Sequence, residues 1–167
     1  MKKFVCFALF LMTMSLSAQS IYDGSDQISV GVNAGLPIGD LAGSYSAGFG
    51  IDFNYLYSIG SKVQIGGATG YLFFMGKDVN GVKAAGKSYI PIAGAIRFNN
   101  EYDRYVIGTD LGYAIGITPS GDKGGVYFKP YLGYKISNNV ELNLSYIGVK
   151  KKDPAYSYVA LGLMFKI

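Results

Sequence analysis

The sequence predicts an all-β protein, an eight-stranded antiparallel up-and-down transmembrane β-barrel, and three observations predict it. The chain of 167 residues is 50% apolar and only 16% charged, yet beyond residue 20 no apolar run approaches the ~20 residues that a membrane helix needs. Its apolar residues instead recur at every second position, the period of a strand. The intervening positions are mostly Gly, Ala, Ser and Asn, with 24 Gly in the chain, and such side chains fit the narrow interior of a small barrel.

The segment ahead of the strands reads as a leader. Met1-Lys2-Lys3 is a positive start, Phe4 to Leu16 is apolar, and Ser15-Leu16-Ser17-Ala18-Gln19 offers small residues for cleavage. Residues 1–18 are expected to be a signal peptide cut after Ala18, with cuts after Ser17 or Ser20 as alternatives; an uncleaved anchor helix fits less well because the stretch is short. The single Cys, Cys6, falls inside this leader, too early to be the lipid-modified Cys of a lipoprotein. The exported chain then has no disulfide, so burial and hydrogen bonding must hold it. Residues 19–26 are expected to form a short periplasmic tail and residues 27–167 the outer-membrane barrel.

The strands follow in order. Ile28, Val30, Val32, Ala34 and Leu36 share one face of the first, opposite Ser29, Gly31, Asn33 and Gly35. The second sets Ala47, Phe49, Ile51, Phe53 and Tyr55 against Gly48, Gly50, Asp52 and Asn54. Val63, Ile65, Gly67, Thr69, Tyr71 and Phe73 oppose Gln64, Gly66, Ala68 and Gly70 in the third, and Ile90, Ile92, Ile96 and Phe98 oppose Ala93, Ala95 and Arg97 in the fourth. The fifth alternates most regularly: Tyr105, Ile107, Thr109, Leu111, Tyr113 and Ile115 against Val106, Gly108, Asp110, Gly112 and Ala114. Val126, Phe128, Leu132, Tyr134 and Ile136 then face away from Tyr127, Lys129, Tyr131, Gly133 and Lys135. Val140, Leu142, Leu144 and Tyr146 oppose Glu141, Asn143 and Ser145; Val159, Leu161, Leu163, Phe165 and Ile167 oppose Tyr158, Ala160, Gly162, Met164 and Lys166. Short connections (57–62, 99–104, 137–139) alternate with longer ones (74–88, 116–125, 148–155), with 37–44 intermediate, the asymmetry of an outer-membrane barrel whose short turns are periplasmic. Pro91 and Pro130 interrupt two strands and are expected to mark bulges or late pairing at the outer rim.

Alternation does not say which face is the lumen, since a lipocalin turns its apolar face inward. The small polar phase, its charges of both signs and aromatics near the strand ends favour an apolar exterior with two girdles. Asp52, Arg97, Asp110, Lys129, Lys135 and Glu141 then form a candidate polar network in the lumen, in which buried charge must be paired.

Several segments resemble the small outer-membrane β-barrel domains of Bacteroidetes-type bacteria, within the OmpA/OmpX-like group: Gly35-Leu36-Pro37-Ile38-Gly39-Asp40, Gly70-Tyr71-Leu72-Phe73-Phe74-Met75-Gly76-Lys77-Asp78 and Tyr89-Ile90-Pro91-Ile92. The closing Leu161-Gly162-Leu163-Met164-Phe165-Lys166-Ile167 is similar to the terminal strand read by barrel-assembly machinery, although its aromatic stands two places before the end. The resemblance implies an outer-membrane location in a Gram-negative bacterium and carries no catalytic residues.

The chain has no His, which removes the general base of the familiar barrel hydrolases and acyltransferases. No enzyme, cofactor or metal is expected. Asp78, Asp122 and Asp153 lie on separate predicted loops without calcium-loop spacing. The net charge of +4, half of it from Lys2 and Lys3, gives no footprint for nucleic acid. Lys150-Lys151-Lys152 is the one sharp charge run, a candidate contact for lipopolysaccharide phosphates. The expected partners are outer-membrane lipid, lipopolysaccharide and, during biogenesis, the assembly machinery. The protein is expected to be a monomer with a structural or surface-interaction role; a narrow channel, a ligand-binding barrel and a soluble lipocalin-like carrier are the alternatives.

Overall fold

The structure, a computed structural model, describes residues 26–39, 42–59, 62–79, 82–100, 104–151 and 155–167. The expected leader and most of the tail, with Asp40, Lys152 and Asp153, lie outside these residues. Ten strands are described: β1 (Asp26–Pro37), β2 (Tyr45–Ile59), β3 (Val63–Gly76), β4 (Asp78–Val79), β5 (Val82–Lys83), β6 (Lys87–Asn99), β7 (Tyr105–Thr118), β8 (Gly125–Lys135), β9 (Val140–Lys150) and β10 (Tyr156–Lys166). Eight of them close into an antiparallel barrel in the order β1-β10-β9-β8-β7-β6-β3-β2, while β4 and β5 form a small separate hairpin. Closure comes from pairing β1 with β10, from Ser29↔Lys166 to Pro37↔Tyr158. Two backbone bonds extend this seam, from Ile38 N–H to the Ser157 carbonyl (3.0 Å) and from Ile167 N–H to the Ile28 carbonyl (2.9 Å). A ring closed in this way has no unpaired edge.

The alternation sorts every barrel strand as its sequence predicts. Val32, Leu36, Ile92, Ile107, Leu111 and Leu161 stand exposed on the outer wall, and Ser29, Asn33, Asp52, Asp110, Lys129 and Glu141 are buried inside. Ring pairs decorate both ends of the wall: Tyr105 with Tyr134 at 5.2 Å between centroids, and Phe128 with Tyr146 at 5.5 Å. At one end, the turn end, connections of three to five residues join β2 to β3, β6 to β7 and β8 to β9; those at the other, the loop end, run from five to ten.

The strands run further at the loop end than the sequence suggests, because alternation and pairing both continue. Gly76 still pairs with Tyr45, Thr118 with Ser88, and Lys150 with Val126. The expected 74–88 loop therefore contains the ends of two strands and the β4–β5 hairpin.

The two prolines are not bulges at a rim. Pro130 is the middle residue of β8 and Pro91 lies well inside β6. Pro130 keeps its pairing with Thr109 but the β8–β9 ladder skips from Phe128↔Gly148 to Tyr131↔Ser145 without a register shift. Pro91 likewise pairs with Ala114, while the β3–β6 ladder skips from Thr69↔Ile92 to Leu72↔Tyr89. A missing N–H costs ladder bonds on one side only, and Thr69 Oγ1 donates to the Pro91 carbonyl (2.8 Å) across the gap. The one register shift in β6 falls between Ser88 and Tyr89 instead.

Inward glycines make room for large lumen side chains. A Cβ on Gly48 would lie 2.7 Å from the Tyr158 ring, and one on Gly50 would lie 2.6 Å from Asn33 Nδ2. Outward, Gly67 and Gly94 pair with each other, and a Cβ there would meet nothing nearer than a carbonyl at 4.0 Å. Glycine in a strand interior carries an entropic penalty and no compensating fit at such a site. Gly94→Ala is therefore expected to stabilise the barrel by about 0.5–1 kcal/mol, read as a higher urea midpoint in detergent.

Candidate functional site

The lumen holds two polar clusters and, towards the loop end, an aromatic layer. The central cluster crosses the barrel. Lys129 Nζ on β8 lies 2.8 Å from Asp52 Oδ1 on β2, strands that stand opposite each other in the ring. The other Asp52 oxygen accepts from Asn33 Nδ2 (2.8 Å), whose Oδ1 accepts from the Tyr158 hydroxyl (2.8 Å). Each group in this chain is therefore partnered, the condition under which buried charge is tolerated.

The second cluster lies nearer the turn end. Arg97 Nη1 approaches Asp110 Oδ1 to 2.6 Å, but as a charge contact rather than an aligned hydrogen bond, because Nη1 donates to the carbonyls of Ile96 (3.1 Å) and Thr109 (3.2 Å). The guanidinium carbon lies 4.3 Å from the centroid of the Tyr131 ring, a favourable cation–π arrangement. The Tyr131 hydroxyl donates to Glu141. Lys135 is half-buried on the same inward phase and its register partner on β9 is Glu141. Five of the six predicted network residues thus sit in the interior and divide between two clusters.

These side chains fill the turn half of the barrel. The cavity left among Gln27, Asn54, Gln64, Arg97, Tyr131 and Glu141 is about 10 Å³, at the lower limit for a single water. The loop half is filled by rings: Tyr45, Phe74, Tyr89, Tyr156 and Tyr158 are all buried, with Phe74 edge-on to Tyr45, Tyr89 and Tyr158 at 5.3–6.1 Å. Edge-to-face packing of this kind is favourable beyond area burial.

Asp122, from the connection between β7 and β8, reaches into this layer. Its carboxylate accepts from Lys151, from the Tyr89 hydroxyl (3.2 Å) and from Gly124 N–H (2.9 Å), with Lys87 Nζ at 4.0 Å. Gly121 and Gly124 adopt positive φ, 88° and 82°, which lets the connection fold back. Partial burial alone would raise the Asp122 pKa, but the hydrogen bonds from Lys151 and Gly124 and the Lys151 charge outweigh it and hold the carboxyl below its ordinary value.

No protein-family model matches this chain, and no curated protein matches it. Solved structures do. The outer-membrane protein Ail of Yersinia pestis, in a phospholipid bilayer nanodisc, shares 16% identity at a TM-score of 0.62, over 87% of this chain and 100% of that one. Its crystal structure gives 17%, 0.58, 86% and 99%. A de novo designed transmembrane β-barrel gives 12%, 0.54, 84% and 95%. The fold is that of a transmembrane β-barrel. At these identities it is the fold that is shared, and the site must be read from this chain's own residues.

The lysine run does not act as one unit. Strand alternation continues through β9, so Lys150 is exposed on the outer side while Lys151 turns in to Asp122. Lys152 lies outside the described residues. The sequence reading draws these strands too short at the loop end and so hides the aromatic layer: Leu72 and Phe74 continue the phase of Gly70, and Tyr156 precedes Tyr158 in the same phase.

Proposed function

We propose that the chain is an integral outer-membrane protein of a Gram-negative cell, a monomeric barrel exported by its leader whose loop end faces outward and carries a structural or surface-interaction role. The inversion of faces carries this reading. The outer wall exposes Val32, Ile51, Leu111, Leu132, Leu144 and Leu161 while Asp52, Arg97, Asp110, Lys129 and Glu141 lie inside. Water does not tolerate so continuous an apolar belt, and lipid accepts it, because a closed barrel leaves no backbone group unsatisfied. This arrangement is opposite to that of a lipocalin.

The resemblance to the Bacteroidetes-type, OmpA/OmpX-like group belongs to the same proposal. So does recognition of β10 by barrel-assembly machinery. The structural neighbour Ail is an attachment invasion locus protein, and one of its structures is a complex with the heparin analogue sucrose octasulfate; a contact role for the loop end here is in keeping with that. Lys150 borders an apolar groove of about 310 Å³ on the outer wall, between Leu111, Val126, Phe128 and Tyr146. An ammonium beside an apolar groove suits a lipid that pairs phosphate with acyl chain, as lipopolysaccharide does.

Membrane fractionation with heat-modifiability tests the proposal. The protein is expected in the outer-membrane fraction, released only by detergent, with unboiled and boiled forms migrating differently on a gel. A soluble protein with no shift would overturn the membrane reading and restore the carrier alternative. The filled lumen favours a plug over a channel, so planar bilayers containing the protein are expected to stay electrically silent; steady single-channel steps would install the channel reading.

A further inference from the structure

The mouth at the loop end gathers hydrogen-bond donors around one internal carboxylate. Lys151 donates to both Asp122 oxygens, Tyr89 and Gly124 N–H donate to one each, and Lys87 Nζ stands 4.0 Å away. Lys87 also donates to the Tyr156 hydroxyl (2.6 Å). The Asp122 side chain is 6% exposed, against 21% for Lys87 and 18% for Lys151. Both ammonium groups lie against rings, Lys87 at 4.6 Å from the Tyr156 centroid and Lys151 at 5.0 Å from those of Tyr89 and Tyr156.

Two features make Asp122 look like an occupant rather than part of the wall. It belongs to the connection after β7, not to a barrel strand. Asp122 also lies over Gly116, where a Cβ would overlap the Asp122 carbonyl oxygen and come within 2.8 Å of its Cβ and Cγ, so the wall leaves room for the loop residue to fold in. Among the described residues the charges do not balance: two ammonium groups face a single carboxylate. A phosphate monoester carries about −1.5 to −2 at pH 7 and three acceptor oxygens, and would match the donors and both cations better.

We propose that the mouth is a binding site for a soluble phosphate monoester or inorganic phosphate, closed in this structure by Asp122 as a built-in mimic of the anion. This goes beyond the membrane assignment and does not depend on it, since it needs only the folded barrel. The site lies inside the mouth, among lumen rings, rather than on the outer wall where lipid headgroups sit, which favours a soluble anion. An intramolecular carboxylate competes at an effective concentration in the millimolar range, so the wild-type protein is expected to bind phosphate weakly.

The test is titration of inorganic phosphate into the protein in maltoside micelles, which contain no phosphate of their own, followed by calorimetry. Asp122→Asn is expected to bind at least tenfold tighter than wild type. Lys87→Ala with Lys151→Ala in the Asp122→Asn background is expected to abolish that binding. Asp122→Ala serves as a second release variant, and a heat-shifted band shows that each variant is folded. Folded release variants that bind phosphate no better than wild type would overturn the proposal, as would binding that survives loss of both lysines. Tighter binding to vesicles of anionic lipid, with none to free phosphate, would also overturn it in favour of a headgroup contact on the wall.

Discussion

Lys129→Ala is expected to destabilise the barrel by about 3–5 kcal/mol, the cost of leaving one member of a buried ion pair alone. Lys129 is 1% exposed, and its ammonium is the only cation in direct contact with Asp52 among the described residues. Truncation would leave the Asp52 carboxylate in the barrel interior, held by the Asn33 amide but without its counter-charge. The damage should not stay local, because Asn33 also positions the Tyr158 hydroxyl, and the Tyr158 ring covers Gly48. Asp52→Leu combined with Lys129→Met removes both charges and fills their volume, and such replacements are often neutral or stabilising by about 1–4 kcal/mol. Urea unfolding of the refolded protein, followed by the heat-shifted band, measures both. A single variant within 1 kcal/mol of wild type, or a double variant as unstable as the single, would show that the pair is not the bridge described.

That bridge also marks where sequence reading stops. The period of two determines which way each side chain points, so Asp52, Arg97, Asp110, Lys129 and Glu141 are all assigned to the lumen from sequence alone. Which charge meets which depends on strand stagger and ring closure. Asp110 and Lys129 are register partners on adjacent strands, yet Lys129 reaches across the ring to Asp52 and Asp110 pairs with Arg97. No local pattern encodes a contact between β2 and β8.

The loop-end layer was legible in principle and missed for a simpler reason. Alternation carries on past the point where the outward residues stop looking apolar: Val149 faces in, Lys150 out, and Lys151 in again. A charge run looks like a solvated loop until that phase is followed through it. The prolines misled in the opposite direction. Pro91 and Pro130 suggest bulges or late pairing at the outer rim, but each loses ladder bonds to one neighbour only, and the strand on its other side holds the register. The phase of a barrel strand is fixed by two neighbours, so one missing donor does not reset it.

The outer wall gives the second large effect, and its size depends on the solvent. Leu161 is the middle residue of β10, 61% exposed, and paired with Ala34 and Leu144. Leu161→Arg is expected to cost about 2–4 kcal/mol in a bilayer, where an arginine at mid-depth must be buried in hydrocarbon or drag water and headgroups to it. Ile136 is similarly exposed at the turn end, beyond the last residue of β8. An arginine there reaches the headgroup region, and Ile136→Arg is expected to cost only about 0–1 kcal/mol. In water neither residue is buried, so both substitutions would be close to neutral and would improve solubility. Unfolding of the two variants in phospholipid vesicles therefore separates a lipid-facing wall from a solvent-facing one. A large cost at Leu161 with a small one at Ile136 follows from a membrane boundary between them, whereas equal and negligible costs would mean that the apolar belt faces something other than lipid.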